Sequence, residues 1–397
     1  MRRVDVALLL GCVSLGGCYL AHERDAPARE CPVGGVPLSC VAYAASGPPV
    51  RVSPEAGFSG SVQLQSAVAT PCGALVSWMT ITSMPDSQGF ATRPVSWTGD
   101  PIDDVRDHPA LTVPSISGGL LELVRRAPAS VIALVSESGS ACRLLALDDV
   151  GTELAPPIAL DTGYCHEAEI ADDALSYLSA DLGSAAGRVV TVDTNGAVLA
   201  STSLPIPSTR DLWSRARLAD GTFIAYSFAE SPMATYMGWL QHFDARGGAI
   251  APEVALDANA VPVQIAPTRT GALTVWSTAQ PGGLPVQARA IDANGVATAP
   301  TRDLPAQGAL YGVVAVSAPD GSVLVSWLES RFGETPLWHL RAQVLDADGT
   351  ARAEPTLLLH PEDSNSAPRL VIDDTGEHAL AIYDDDGVWA LPLACVR

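Results

Sequence analysis

The side chains best suited to chemistry are two groups of carboxylates, seven histidines and eight cysteines. Asp384, Asp385 and Asp386, followed by Gly387, make one carboxylate group; Asp103, Asp104 and Asp107, with His108, make the other. Oxygen-rich loops bind calcium, so Asp384, Asp385 and Asp386 are the metal candidates and Ca2+ is the one cofactor in view. Neither group has the alternating ligands and distal Glu of an EF-hand loop, and solvated turns in an acidic chain account for both. The histidines, at 22, 108, 166, 242, 339, 360 and 378, stand singly. HExxH, GxSxG, Walker and GxGxxG motifs are all absent. No residue is therefore assigned a catalytic role. General acid/base work needs two carboxyl groups of different pKa in one cleft, and groups converging from distant parts of a chain leave no local motif.

The cysteines point to oxidation. Setting aside Cys12 and Cys18, six remain: Cys31, Cys40, Cys72, Cys142, Cys165 and Cys395. An even count in an exported chain reads as three disulfides, with the pairing left open. No two have the CxxC spacing of a metal site.

Export is read from the N-terminus, MRRVDVALLLGCVSLGGC. Two arginines precede an apolar run, Val6 to Leu15, that is too short to span a bilayer, and small residues follow; this is signal-peptide order. Leu15, Gly16, Gly17 and Cys18 resemble the bacterial lipobox, in which the cysteine is lipidated and becomes the new N-terminus. The resemblance implies a signal peptide over 1–17, lipidation at Cys18 and membrane attachment through acyl chains alone, each buried methylene contributing about 0.8 kcal/mol. Tyr19 in place of an aspartate after the cysteine implies, by likeness to Gram-negative lipoproteins, sorting to the outer membrane. Residues 18–34, rich in small, charged and turn residues, read as a flexible tether.

Loss of the leader takes the formal charge from −21 to −22. So acidic a surface excludes nucleic acid as a partner and repels anionic headgroups. Every basic side chain is Arg; there is no lysine.

The elements that must position these residues follow from self-comparison. Five times an alternating apolar segment ends in Asp with Gly three residues on: Asp148 and Gly151, Asp193 and Gly196, Asp244 and Gly247, Asp292 and Gly295, Asp346 and Gly349, spaced by 45, 51, 48 and 54 residues. Asp at the first and Gly at the fourth position fit a type I hairpin corner. Out of phase, a turn and an apolar run end in an aromatic at Trp78, Tyr177, Tyr226, Trp276, Trp327 and Tyr383. Aromatics at such matched positions pack between repeats. With a further strand before and after, each unit has four strands in about 50 residues, and helical periodicity is absent.

The fold class expected is all-β: a β-propeller over 35–397, of seven four-stranded blades, give or take one because the first two repeats diverge. The last unit has three strands, and VPLSCVAYA at 36–44 is the candidate fourth, closing the ring. Cys395 with Cys40 or Cys72 would bolt that closure, and Cys142 with Cys165 would staple neighbouring units. Two β-sandwich domains are the rival architecture. The repeat, best matched by Asp320, Gly321, Trp327, Asp346 and Gly349, resembles those of β-propeller lipoproteins from GC-rich bacteria, a family that implies a fold and a location more than an activity. SAPDGSVLVSW, Ser317 to Trp327, shares letters with the sialidase Asp-box but not its spacing, so that activity is not carried over.

The functional reading is a monomeric, envelope-located, non-catalytic binding or scaffold propeller with a protein or glycan partner. The alternative is a propeller enzyme acting on glycans, a hydrolase or lyase. A funnel with close carboxylates and a histidine or arginine would favour the enzyme; a shallow face with exposed aromatics would favour the binder.

Overall fold

A computed structural model of the chain describes residues 35–397, apart from 55–59, 84–85, 114–119, 128, 138–140, 161–162, 172–173, 182–183, 194, 208, 231–235, 257–259, 279–285, 307–308, 331–337 and 362–367. The leader, the tether, Cys18 and Cys31 lie outside the described residues.

Every element in the described residues is a strand. Two short N-terminal pieces, β1 (Ala42–Ala45) and β2 (Val50–Arg51), precede six antiparallel four-stranded sheets in chain order. Blade 1 is β3 (Gly60–Thr70), β4 (Gly73–Ser83), β5 (Asp86–Ser96) and β6 (Arg106–Val113). Blade 2 is β7 (Leu120–Ala127), β8 (Ser130–Glu137), β9 (Ala141–Asp148) and β10 (Ile158–Ala159). Blade 3 is β11 (Tyr164–Ala171), β12 (Ala174–Asp181), β13 (Ser184–Val192) and β14 (Val198–Ser203). Blade 4 is β15 (Asp211–Arg217), β16 (Phe223–Glu230), β17 (Tyr236–Phe243) and β18 (Val254–Ala255). Blade 5 is β19 (Ala260–Pro267), β20 (Gly271–Thr278), β21 (Val286–Asp292) and β22 (Arg302–Leu304). Blade 6 is β23 (Ala309–Ser317), β24 (Val323–Ser330), β25 (Trp338–Leu345) and β26 (Thr356–Leu359).

The seventh sheet joins the two ends of the chain. Its order is β27 (Arg369–Ile372), β28 (His378–Asp384), β29 (Val388–Val396) and then β1, with Ala42 to Ala45 opposite Val396 to Leu393; β2 also pairs with β29. The closing strand therefore starts later than the sequence segment 36–44 suggests, because Cys40 lies before it and bonds to Cys395, Cα to Cα 5.3 Å. Covering the outer edge of β29 removes an exposed strand edge. Cys142 of β9 is bonded to Cys165 of β11, which ties blade 2 to blade 3, and Cys72 is also in a disulfide.

Packing shows that the ring closes. Seven hydrophobic clusters occupy the seven interfaces between neighbouring blades, the last joining blade 7 to blade 1 through Leu380 and Ile382 against Trp78 and Val95. Tyr177, Tyr226, Trp276 and Trp327 are fully buried in these seams, Trp78 and Tyr383 nearly so. The protein is a seven-bladed β-propeller.

The repeated aspartates are corners between third and fourth strands. Asp193 accepts the N–H groups of Asn195 and Ala197 at 2.8 and 2.9 Å, and Asp148, Asp244 and Asp292 do likewise. Gly151 has φ 83°, and a Cβ there would come within 2.5 Å of Thr92 Oγ1, so glycine is required twice over. At the fifth corner Asp346 instead accepts from Arg352, while Asp348 takes the turn N–H of Thr350. Blade 1 has the same corner with Ser96 and Gly99 in place of Asp and Gly, which is why its sequence departs from the repeat.

Candidate functional site

The first strands of the blades, β3, β7, β11, β15, β19, β23 and β27, contact one another in order around the axis and line the channel. In β3, β11, β15, β19 and β23 the pairing with the second strand slips through a bulge. A bulge bends its strand and re-aims the extra residue. In β3 that residue is Gln65, in β11 Glu167 and Ala168, in β15 Trp213. Glu167 has φ 53°, the one non-glycine residue of positive φ among those described. Strain of this kind concentrates at functional sites.

Side chains on and beside these strands clip blade 7 to blade 1 and each of blades 1 to 3 to the next. Gln65 Oε1 accepts the Leu121 N–H at 3.3 Å, Glu122 Oε2 accepts that of Ala168 at 3.0 Å, and Glu167 Oε2 accepts that of Arg215 at 3.4 Å. Asp384 Oδ1 accepts the Leu64 N–H at 2.8 Å, and Arg369 Nε donates to the Gln65 carbonyl at 3.0 Å, which carries the relay from blade 7 into blade 1. The relay thus runs through blades 7, 1, 2, 3 and 4.

Within this relay lies a cluster of charge. Arg215, 6% exposed, donates to the Glu167 carbonyl at 2.9 Å and to Ser176 Oγ and O at 3.1 and 2.6 Å, with Glu169 Oε1 at 3.6 Å. Burial raises the Glu122 carboxyl well above its ordinary value, against the pull of the Ala168 N–H, Arg215 and Arg369. Burial, and then the Glu122 charge, push Glu167 up to about 8. Both carboxyls are therefore held above the ordinary glutamate range and take up protons more readily than exposed glutamates do. Burial and then Arg215 lower His166 to about 4, so its ring is neutral.

Two polar side chains here are not fully hydrogen-bonded among the described residues. His166 is only 8% exposed, stacks at a tilt on Tyr164 with centroids 5.3 Å apart, and makes no hydrogen bond among the described residues. Among the described residues Arg369 is hydrogen-bonded through Nε alone and no carboxylate lies within ion-pair distance of it, although Glu122, Glu167 and Asp384 are near enough to act on its charge. Glu122, Glu167 and Arg369 are crowded by protein yet remain partly accessible to water. Trp213, 43% exposed, stands near the start of β15, edge-on to Phe228 at 5.8 Å.

A second feature gathers the carboxylates that the sequence singles out. A cavity of about 650 Å³ at the seam of blades 7 and 1 is lined by Asp107 and His108 from one group and by Asp384, Asp385 and Asp386 from the other, with Arg51 and Trp78. Most of these groups are engaged elsewhere. Asp386 pairs with Arg51 at 3.0 Å and accepts from the Trp389 indole at 2.9 Å. His108 lies between Glu153 and Thr92 at 3.0 and 2.9 Å, and Asp103 pairs with Arg106 at 3.0 Å. Among the described residues, no three His, Cys, Asp or Glu side chains are grouped to hold a metal.

Glu122, Glu167, Arg215 and Arg369 are not among the sequence candidates. Their one local signal is a charge inside an apolar strand, as in LLELV or WSRAR.

No protein-family model and no curated protein sequence matches the chain. Solved structures do. A protein of unknown function from Dyadobacter fermentans superposes with TM-score 0.51 at 13% identity, covering 90% of this chain and 99% of that one. A lectin from Burkholderia pseudomallei gives TM-score 0.51 at 13% identity over 84% of this chain and 97% of its own. At these identities the likeness is one of fold.

Proposed function

We propose that the protein is an exported, lipid-anchored binding propeller that takes a small polar ligand of glycan type into its axial channel. The observation that carries this reading is the set of polar groups on the channel-lining strands with no hydrogen-bond partner among the described residues, the His166 ring and the terminal nitrogens of Arg369, together with two glutamates whose carboxyls burial raises. Groups of this kind are satisfied by water or by a ligand. Export is supported by the Cys40–Cys395 and Cys142–Cys165 disulfides, which belong to an oxidising compartment, and by the leader that ends at Cys18. Attachment to the outer membrane through lipidated Cys18 is part of the same proposal. The test is a glycan array probed with the wild-type chain and with Arg369→Gln: the reading expects selective binding to a subset of glycans that the variant loses, and wild-type binding to none would overturn it.

The enzyme reading also has an observation in its favour. A buried carboxyl raised to about 8, as at Glu167, is what a general acid requires. Under this reading the wild-type chain hydrolyses an aryl glycoside and Glu167→Gln abolishes turnover. Binding without turnover across an aryl-glycoside panel would leave the non-catalytic reading in place.

A further inference from the structure

Resting on the export and lipid-anchor reading, we infer that Cys72 is bonded to Cys31, so that the segment leading from the lipid is clasped to blade 1 before it enters blade 7. Cys72 stands between Thr70 and Gly73, in the hairpin that joins β3 to β4, and is in a disulfide. Four of the eight cysteines are spent in the Cys40–Cys395 and Cys142–Cys165 bonds, which leaves Cys12, Cys18 and Cys31 as the partners open to it. Cys12 is in the leader and goes with it. The Cys18 sulfur carries the lipid as a thioether, which cannot enter a disulfide. Cys31 remains.

The described geometry puts Cys72 within reach of that partner. The first described residue, Gly35, lies against Thr375, where a Cβ on the glycine would come 3.0 Å from Thr375 Cγ2, and the Leu38 N–H donates to the Thr375 carbonyl at 2.8 Å. The incoming segment therefore rests on the β27–β28 hairpin of blade 7. Asp374 of the same hairpin pairs at 2.9 Å with Arg125, near the end of β7 in blade 2. Blade 1 lies between those two blades, so its β3–β4 hairpin is flanked by the partners of this ion pair. Neighbouring blades are sheets packed about 10 Å apart. The four residues from Cys31 to Gly35 span about 14 Å when extended, and the α-carbons of bonded cysteines lie about 4.4–6.8 Å apart, which is enough to cross one blade.

The bond forms as the two thiols give up two protons and two electrons to an oxidised protein dithiol of the envelope, whose own disulfide is reduced to two thiols. With it made, residues 31–40 are a loop fastened at both ends, to blade 1 through Cys72 and to blade 7 through Cys395. A cut inside that loop leaves the propeller on its lipid until the bond is reduced; without the bond the same cut sheds the body.

The experiment is peptide mapping by mass spectrometry, without reduction, of the full chain expressed with its own leader and purified from the cell envelope. Trypsin and chymotrypsin together cut after Arg29 and after Leu38, which separates Cys31 from Cys40. The expected result is a Cys31 peptide joined to the Cys72 peptide, distinct from the Cys40–Cys395 pair and released on reduction. Alkylation before reduction should find no free thiol in the wild type and one, at Cys31, in Cys72→Ser; if that variant does not fold, the wild-type map decides alone. Cys72 joined to Cys18 would overturn both the pairing and the lipid anchor. Cys72 joined to Cys31 with Cys18 unacylated would uphold the pairing and overturn the anchor alone. Cys72 joined to Cys40 or to a second chain, or alkylated as a free thiol, would overturn the pairing and leave the anchor standing.

Discussion

Glu167 concentrates the tension of this molecule in one side chain. It sits in a bulge at φ 53°, its carboxyl caps the next blade's backbone, and burial with the Glu122 charge raises it to about 8. The consequence for stability has a definite sign. Because the folded pKa lies above the unfolded value of about 4.5, the folded state binds more protons between those limits, and stability falls as the pH rises from about 5 to 8. Thermal melts across that range should show a falling midpoint for the wild type and a flatter profile for Glu167→Gln; parallel profiles would remove the raised Glu167 carboxyl from the account. The corner aspartates were legible in the sequence because turn chemistry is local: carboxylate, N–H acceptors and glycine fall within five residues. The channel residues were not, because they are shared out among β3, β7, β11, β15 and β27, strands far apart in the sequence. His166 looked like any lone histidine until its neighbours came from other blades.

At the scale of strands and blades, the out-of-phase aromatics were read correctly as seam packing. Trp276 lies in a cluster with Tyr226, Leu240 and Ile291, fully buried. Trp276→Ala should therefore cost about 3–5 kcal/mol, measured by denaturant unfolding. The Cys40–Cys395 bond closes almost the whole described chain on itself and adds to the pairing that holds the four-residue strand β1. Replacing both cysteines by serine should cost about 2–5 kcal/mol and expose the edge of β29, seen as faster proteolysis near residues 42–51. Sequence spacing left Cys40 and Cys72 as equal partners for Cys395; the register of Ala42 opposite Val396 decides for Cys40. Blade 1 looked divergent because Ser96 replaces the corner aspartate and its strands run to 11 residues, yet its four-strand order is the common one.

For the whole molecule, the number of blades and the closure were legible from a period near 50 residues and a missing last strand, since both are consequences of a ring that must bury every seam. The cavity at the seam of blades 7 and 1 was not, because it unites segments almost 280 residues apart, Asp107 with Asp384. Anchoring is a separate proposal with its own check: Cys18→Ala should release the protein from the membrane fraction, and a variant still membrane-bound and correctly processed would contradict it. The central claim is that the ligand sits on the axis, and the most direct measurement is a crystal structure of the full chain soaked with a glycan selected on the array. The account predicts density in the channel, in contact with Arg369. A ligand seated in the blade 7 to blade 1 cavity or on the outer rim, with only water along the axis, would contradict it.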